Sequence, residues 1–145
     1  TELMDLARTE MSLLKINLEP LEPESVLQSL ASQCSAMFTA KKQKFQVKLK
    51  DPLPEVLADE DRTSQVILNL LSNANKFTPK GGQVVLRAEA EDNTLVIGVE
   101  DNGPGIPPEI QATLFEPYSH TDCSPGLGLG LAISKQLVEL QGGKI

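Results

Sequence analysis

Residues Asn69–Phe77 read NLLSNANKF. Leu70, Leu71 and Ala74, with Val66 and Ile67 just before them, recur at the spacing of one buried helix face. Asn69, Asn73 and Lys76 fall at i, i+4 and i+7, a separate polar stripe beside the apolar one. An amide oxygen is a hard, neutral ligand suited to Mg²⁺, which keeps several waters and takes further ligands from substrate phosphates. A lysine one turn on meets phosphate charge. The plainer reading is a half-exposed polar helix face, and the nonapeptide alone leaves both open.

Outward from this stretch the spacing predicts a helix from Asp59 to about Lys76, then a turn, TPKGG, and two strands, QVVLRAEA and TLVIGVE, joined as a hairpin through EDN. Upstream, KFQVKLK alternates as a strand with Phe45, Val47 and Leu49 inward and its lysines outward. DPLPEVL reads as a proline-rich connector. Glu22 to about Ala40 is helical, with Val26, Leu27, Leu30, Cys34, Met37 and Phe38 on one face. KINLEPLEP is a short strand or turn. In the first 14 residues Met4, Ala7, Met11 and Leu14 form a helical seam, suited either to a longer helix that packs on another helix or to a short amphipathic one on its own domain. Downstream, Pro108 to Leu114 reads as a short helix, GLGLGLAISKQLVELQ as a glycine-rich loop entering a helix, and GGKI as the opening of another strand. Intermixed helices and strands with an antiparallel hairpin point to an α/β sandwich, a mixed sheet with helices on one face.

A chain of 145 residues suits one domain with a real core. Its formal net charge of -7 argues against nonspecific binding to nucleic acid or anionic membrane, so a phosphate site has to be local. Cys34 and Cys123 are too few for a disulfide framework and lack metal-ligand spacing, and a single histidine argues against zinc. No run of 18 apolar residues and no signal-peptide core occur in the sequence. The expectation is a reduced, soluble, cytoplasmic context.

Three further motifs bear chemistry. Asp101, in DNGPGI, ends the strand TLVIGVE and is expected in or beside the core, where a carboxylate needs a partner. It can accept a hydrogen bond from an exocyclic amine such as adenine's, and Gly103 and Gly105 let the backbone approach a flat ring. The bland alternative is an Asp-Asn-Gly turn. In GLGLGLAI, Gly126, Gly128 and Gly130 precede a helix, whose N-terminal N–H groups can cradle phosphate. The spacing fits neither a P-loop nor a Rossmann fingerprint, and a flexible hinge is the alternative. LFEPY sets Phe115, Pro117 and Tyr118 around Glu116, either anchoring one end of a lid or closing a small hydrophobic clamp.

Taken in order, NLLSNANKFT, DNGPGI, LFEP and GLGLGLAI resemble the N, G1, F and G2 boxes of the catalytic domains of sensor histidine kinases, members of the GHKL ATPase superfamily with the Bergerat fold. The resemblance covers roughly residues 20 to 145. It implies a two-layer sandwich, a mixed and mainly antiparallel five-stranded sheet against about three helices, with ATP between sheet and lid. By position, Asn73 would ligate Mg²⁺, Asn69 would support the phosphates or the metal's waters, and Lys76 would contact phosphate. Phe77 would pack beside adenine or ribose, and Asp101 would receive the adenine amine, with Gly103, Gly105 and Ile106 lining that pocket. Phe115, Gly126, Gly128, Gly130 and Leu131 would complete the nucleotide site around the lid. Residues 1–18 resemble the end of a dimerisation helix and its linker, and residues 19–145 a catalytic domain cut short at its C-terminus.

The same resemblance implies which chemistry. In GHKL members that hydrolyse ATP, a glutamate four residues before the metal asparagine acts as general base; here that place is Asn69. An amide takes no proton near neutral pH, so activation of water is lost. The implied function is transfer of the ATP γ-phosphate to a histidine on a separate dimerisation domain, with a response regulator downstream, by a protein-histidine kinase whose acceptor histidine is not in this chain. His120, the sole histidine, lies in the lid region without the acidic neighbour of an acceptor box. The lid from Glu116 to Pro125 carries no Arg or Lys, Leu127 replaces a common threonine, and the chain stops at GGKI. The lack of a basic residue in the lid keeps an alternative in play, a nucleotide-sensing regulatory module that binds ATP without transfer.

Overall fold

The computed structural model describes residues 16–111, 115 and 130–145. The amphipathic segment over residues 1–14 therefore lies outside the described residues. Five strands are present among those described: β1 (Glu19–Leu21), β2 (Lys44–Leu49), β3 (Val56–Ala58), β4 (Gln83–Glu91) and β5 (Thr94–Asp101). The helices are α1 (Pro23–Ala40), α2 (Glu60–Phe77), α3 (Pro108–Gln111) and α4 (Gly130–Leu140).

The strands divide into two sheets. β4 is central, parallel to β2 on one side and antiparallel to β5 on the other. β1 and β3 form a separate antiparallel ribbon, Glu19 opposite Ala58 and Leu21 opposite Val56. The five strands of the expected single sheet are thus a three-stranded sheet plus a ribbon. Prolines account for the shortness of the ribbon: Pro20 donates nothing to a ladder, and Pro52 and Pro54 precede β3. β3 itself falls in the segment expected to be a plain connector.

The β4–β5 turn places Asp92 at φ 48 and Asn93 at φ 64, the left-handed pair that a two-residue turn matching strand twist requires. α1 starts on Pro23, where the missing N–H goes unused. α2 is capped by Asp59, whose Oδ1 accepts from Arg62 N at 3.1 Å. Glu60 and Asp61 lie at its positive end and Lys76 at its negative end.

The core lies between α1, α2 and the inner face of the sheet. Leu27, Leu30, Cys34 and Phe38 of α1 meet Ile67, Leu71 and Ala74 of α2 above Val84, Leu86 and Ala88 of β4. Phe38 stacks on Phe45 with centroids 4.3 Å apart. Cys34 is buried here as a small apolar residue, and burial pushes its thiol pKa up. α4 packs on the other flank of α2 through a second cluster centred on Val66 and Leu137. Val47 was expected inward but is exposed at 38%, because β2 is the outer strand of the described sheet and Val47 sits outside the core cluster. Among the described residues GGKI forms no strand and no helix is long and apolar enough to cross a membrane, while the part of the expected α3 beyond Gln111 lies outside the described residues.

Candidate functional site

The C-terminal half of α2 carries the polar stripe past the core. Asn69 is half-buried, and its Nδ2 donates to Ser134 Oγ of α4 at 3.1 Å. Ser134 is 2% exposed, so this bond ties the helix that follows the glycine loop to α2. Asn73, one turn on, is half-buried, and no described residue engages its amide. Lys76 is half-buried, with Nζ 5.1 Å from the ring centroid of Phe77, a cation–π contact. Phe77 is 42% exposed, a large apolar surface left open at the helix end.

The DNGPGI loop is packed against this same helix end. A Cβ on Gly103 would lie 3.0 Å from Asp101 Oδ1, 3.1 Å from Phe77 O and 3.5 Å from Thr78 Cα. A side chain here would press on both segments, so glycine suits this close approach. Asp101 is not in the core: it is exposed, because it is the last residue of β5, at the sheet's end opposite Val84. Its partner is local, with Oδ1 accepting from Gly103 N at 2.9 Å, which leaves Oδ2 for another donor. Gly105 has φ +80, and Ile106 is 44% exposed beside it. Thr78, by contrast, is fully buried, and its Oγ1 has no hydrogen-bond partner among the described residues.

Of the other candidates, Gly130 opens α4, Leu131 is buried and Phe115 is half-buried. Gly126 and Gly128 lie outside the described residues, as does the rest of the lid. The structure therefore brings Asn69, Asn73, Lys76 and Phe77 together with Asp101 and Gly103 at one end of α2, and sets the start of α4 along its flank.

Three participants escape a sequence reading. Ser134 lies 65 residues from Asn69 and carries no motif signal. Lys41 and Gln43, at the α1–β2 corner, reach the last carbonyls of α2. Lys41 Nζ donates to Asn75 O at 2.7 Å and to Lys76 O at 2.9 Å. Gln43 Nε2 donates to Asn75 O at 3.0 Å and to Thr78 O. Asn75 is the third amide of NLLSNANKF and sits off the polar stripe.

The opposite end of α2 is a second polar junction. Asp59 Oδ2 accepts from Asn17 N at 3.0 Å, while Asp59 N donates to Gln141 Oε1 at 2.7 Å. The Asn17 N–H holds the Asp59 carboxyl below the usual range; burial opposes this, and the Arg62 N–H and charge reinforce it.

As for a metal, no group of three His, Cys, Asp or Glu able to hold an ion occurs among the described residues. A cation held here would have the Asn73 amide oxygen, which no described residue engages, as its candidate protein ligand and would take the rest from phosphates and water. That donor set fits Mg²⁺. A groove of about 510 Å³ runs between β2 and β4, lined in part by Lys48, Lys50, Arg87 and Glu89. Three of these four charges are paired, Lys50 with Glu89 at 4.0 Å and Arg87 with Glu100 at 2.7 Å.

The chain is similar in sequence and in fold to known proteins. The sequence model of the histidine kinase-, DNA gyrase B- and HSP90-like ATPases matches residues 58–145. The alginate biosynthesis sensor protein KinB of Pseudomonas aeruginosa is 32% identical over 145 residues, covering 99% of this chain and 24% of KinB. The adaptive-response sensory kinase SasA of Thermosynechococcus vestitus is 35% identical over 149 residues, covering 100% of this chain and 39% of SasA. Full-length ShkA, solved in complex with AMPPNP, superposes with a TM-score of 0.84 at 36% identity, over 94% of this chain and 29% of that one. The chain thus spans a quarter to two-fifths of the length of these curated relatives.

Proposed function

This chain belongs to the histidine kinase-, DNA gyrase B- and HSP90-like ATPase family as an ATP-binding catalytic domain of the sensor-kinase type, and we propose that its α2 stripe and DNGPGI loop hold ATP for transfer of the γ-phosphate to a histidine on a separate dimerisation domain. The observation that carries this is the contact at Gly103, which sets the Asp101 carboxylate against the helix end that bears Asn73, Lys76 and Phe77. An acceptor for a base and a stripe for phosphates lie on one continuous surface.

Asp101 Oδ2 accepts the exocyclic amine of adenine, and Ile106 and Phe77 supply apolar surface to the base and ribose. Lys76 meets phosphate charge. Asn73 presents its amide oxygen to Mg²⁺, which when bound draws negative charge from the phosphates. Phosphoryl transfer asks the protein mainly for positioning and charge neutralisation. The neutral imidazole of the acceptor attacks with its own lone pair: a P–N bond forms, the bond to the β,γ-bridging oxygen breaks, and ADP leaves. No proton need be removed first. Water, in contrast, needs a base, and Asn69 is an amide whose N–H₂ is committed to Ser134. The phosphoryl histidine then serves a response regulator.

Calorimetry with ADP or a non-hydrolysable ATP analogue tests the nucleotide site. Binding that weakens when Mg²⁺ is removed, and weakens further in Asn73→Ala, is the expected result. No heat of binding with Mg²⁺ present would overturn the reading.

A further inference from the structure

The last carbonyls of an α-helix have no partner within the helix. Many helices solve this with a left-handed glycine after the end. α2 does not: Thr78 follows it with φ -82 and ψ 129, an extended residue. Thr78 N still closes on Ala74 O at 3.0 Å. The carbonyls of Asn75 and Lys76, and that of Thr78 beyond them, are met from outside. Lys41 takes those of Asn75 and Lys76, and Gln43 takes those of Asn75 and Thr78. Asn75 completes the set, its Nδ2 donating to Gln43 Oε1 at 2.7 Å and to Met37 O at 3.2 Å.

These side chains are well anchored. Lys42 turns the corner at φ 57, and Gln43 N closes on Phe38 O at 2.9 Å, directly behind the 1%-exposed Phe38 ring. Gln43 is itself 7% exposed, with both ends of its amide engaged. The corner is therefore fixed to α1 through a buried Gln43, and the exit of α2 is bonded to it.

We propose that Lys41, Gln43 and Asn75 are positioning residues that set the turn Lys76–Thr78 from behind, so that nucleotide affinity is controlled by side chains that do not touch the nucleotide. Two effects combine. The network fixes the backbone from which Lys76 and Phe77 project and against which Gly103 packs. Lys41 also supplies the cation that a helix C-terminus attracts. With the Lys41 ammonium on the Asn75 and Lys76 carbonyls, Lys76 is left to face phosphate. Without it, the Lys76 ammonium is free to fold back on those carbonyls, in competition with the ligand.

This inference rests on the α2 end being the nucleotide site, and the test separates the two. Mg-ADP affinity is measured by calorimetry for the wild-type chain and for Lys41→Met, Gln43→Met and Lys41→Arg. The measurements are made well below each protein's melting temperature, and a ¹⁵N–¹H spectrum shows that each is folded. Lys41→Met is expected to weaken Mg-ADP about tenfold, the loss of one charge-assisted bond's worth of positioning. Lys41→Arg, which keeps charge and donors, is expected to recover to within about threefold of wild type on the same scale. A purely structural role would lower the melting temperature and leave affinity in the folded protein unchanged; that result overturns the proposal. Equal weakening in Lys41→Met and Lys41→Arg overturns it as well. Lys41 is only partly buried, so its variants carry the test if Gln43→Met does not fold. Absence of Mg-ADP binding in the wild-type chain would instead overturn the site assignment on which the inference stands.

Discussion

Asp101→Asn isolates base recognition at the site. The wild-type carboxylate uses Oδ1 to accept from Gly103 N at 2.9 Å, which leaves Oδ2 facing outward. Asparagine has the same shape. Its oxygen keeps the Gly103 bond, since a nitrogen there would oppose a donor, and its NH₂ then occupies the place of Oδ2. A donor now meets the donor amine of adenine. A hydrogen bond to a charged group contributes roughly 1.5–3 kcal/mol, so ADP affinity should fall roughly 10- to 150-fold. Guanine presents a carbonyl oxygen where adenine has its amine, so GDP should bind Asp101→Asn at least as well as it binds wild type. The selectivity for ADP over GDP collapses from both sides. Asp101 is exposed, so unfolding free energy should stay within about 0.5 kcal/mol of wild type. Calorimetric titration of both nucleotides into both proteins reads all four affinities. ADP binding at wild-type strength in Asp101→Asn, with folding intact, would refute the assignment of Oδ2 to the base.

Other expectations concern the frame around the site. Leu71 is 0% exposed between α1 and the sheet, and Leu71→Ala should cost about 2–5 kcal/mol in urea unfolding. A loss below 1 kcal/mol on that scale would mean that the core is packed otherwise. In Gly82→Ala the new methyl would stand 2.3 Å from Thr78 Cγ2 and 2.9 Å from both Asn102 Oδ1 and Pro79 O, so a destabilisation of about 1–3 kcal/mol should appear as a lowered thermal midpoint. An unchanged midpoint would contradict this packing. Asp59 has a depressed folded pKa, so its charge stabilises the fold above its ordinary value of 3.8, and that increment disappears as pH falls through the lower folded value. The stability gap between wild type and Asp59→Asn should therefore be open at neutral pH and close in acid below that point; a gap independent of pH would count against the Asn17 and Arg62 bonds to the carboxylate.

The elements legible in the sequence were those whose information is local. The helix over NLLSNANKF is written in its own 3.6-residue period and in Asp59 before it, and the β4–β5 hairpin in its alternation and its Asp-Asn turn. β3 was not legible because three residues just after a pair of prolines show no period; its pairing is decided by β1, far away in the chain. Asp101 was placed too deep because an apolar strand says nothing about where along it the sheet stops being covered. On the site itself, the stripe of Asn69, Asn73 and Lys76 and the Asp101 loop could be read from spacing and motif order. The residues that hold them could not, because their bonds are long-range: Ser134 to Asn69 across 65 positions, Lys41 to Asn75 across 34. Asn75 looked like one more polar residue on a helix, yet both its amide and its carbonyl are engaged with the α1–β2 corner.

The central claim is that this domain holds ATP for another domain's histidine. The most direct measurement follows γ-labelled ATP with Mg²⁺, this chain and a separate histidine-bearing dimerisation domain of a sensor kinase, counting label on the acceptor and phosphate released, with and without that domain. The account predicts acid-labile label on the acceptor histidine and little phosphate released when the acceptor is left out. Nucleotide binding with no label on the acceptor would mean a regulatory module, and steady phosphate release without the acceptor would mean a hydrolase; either result contradicts it.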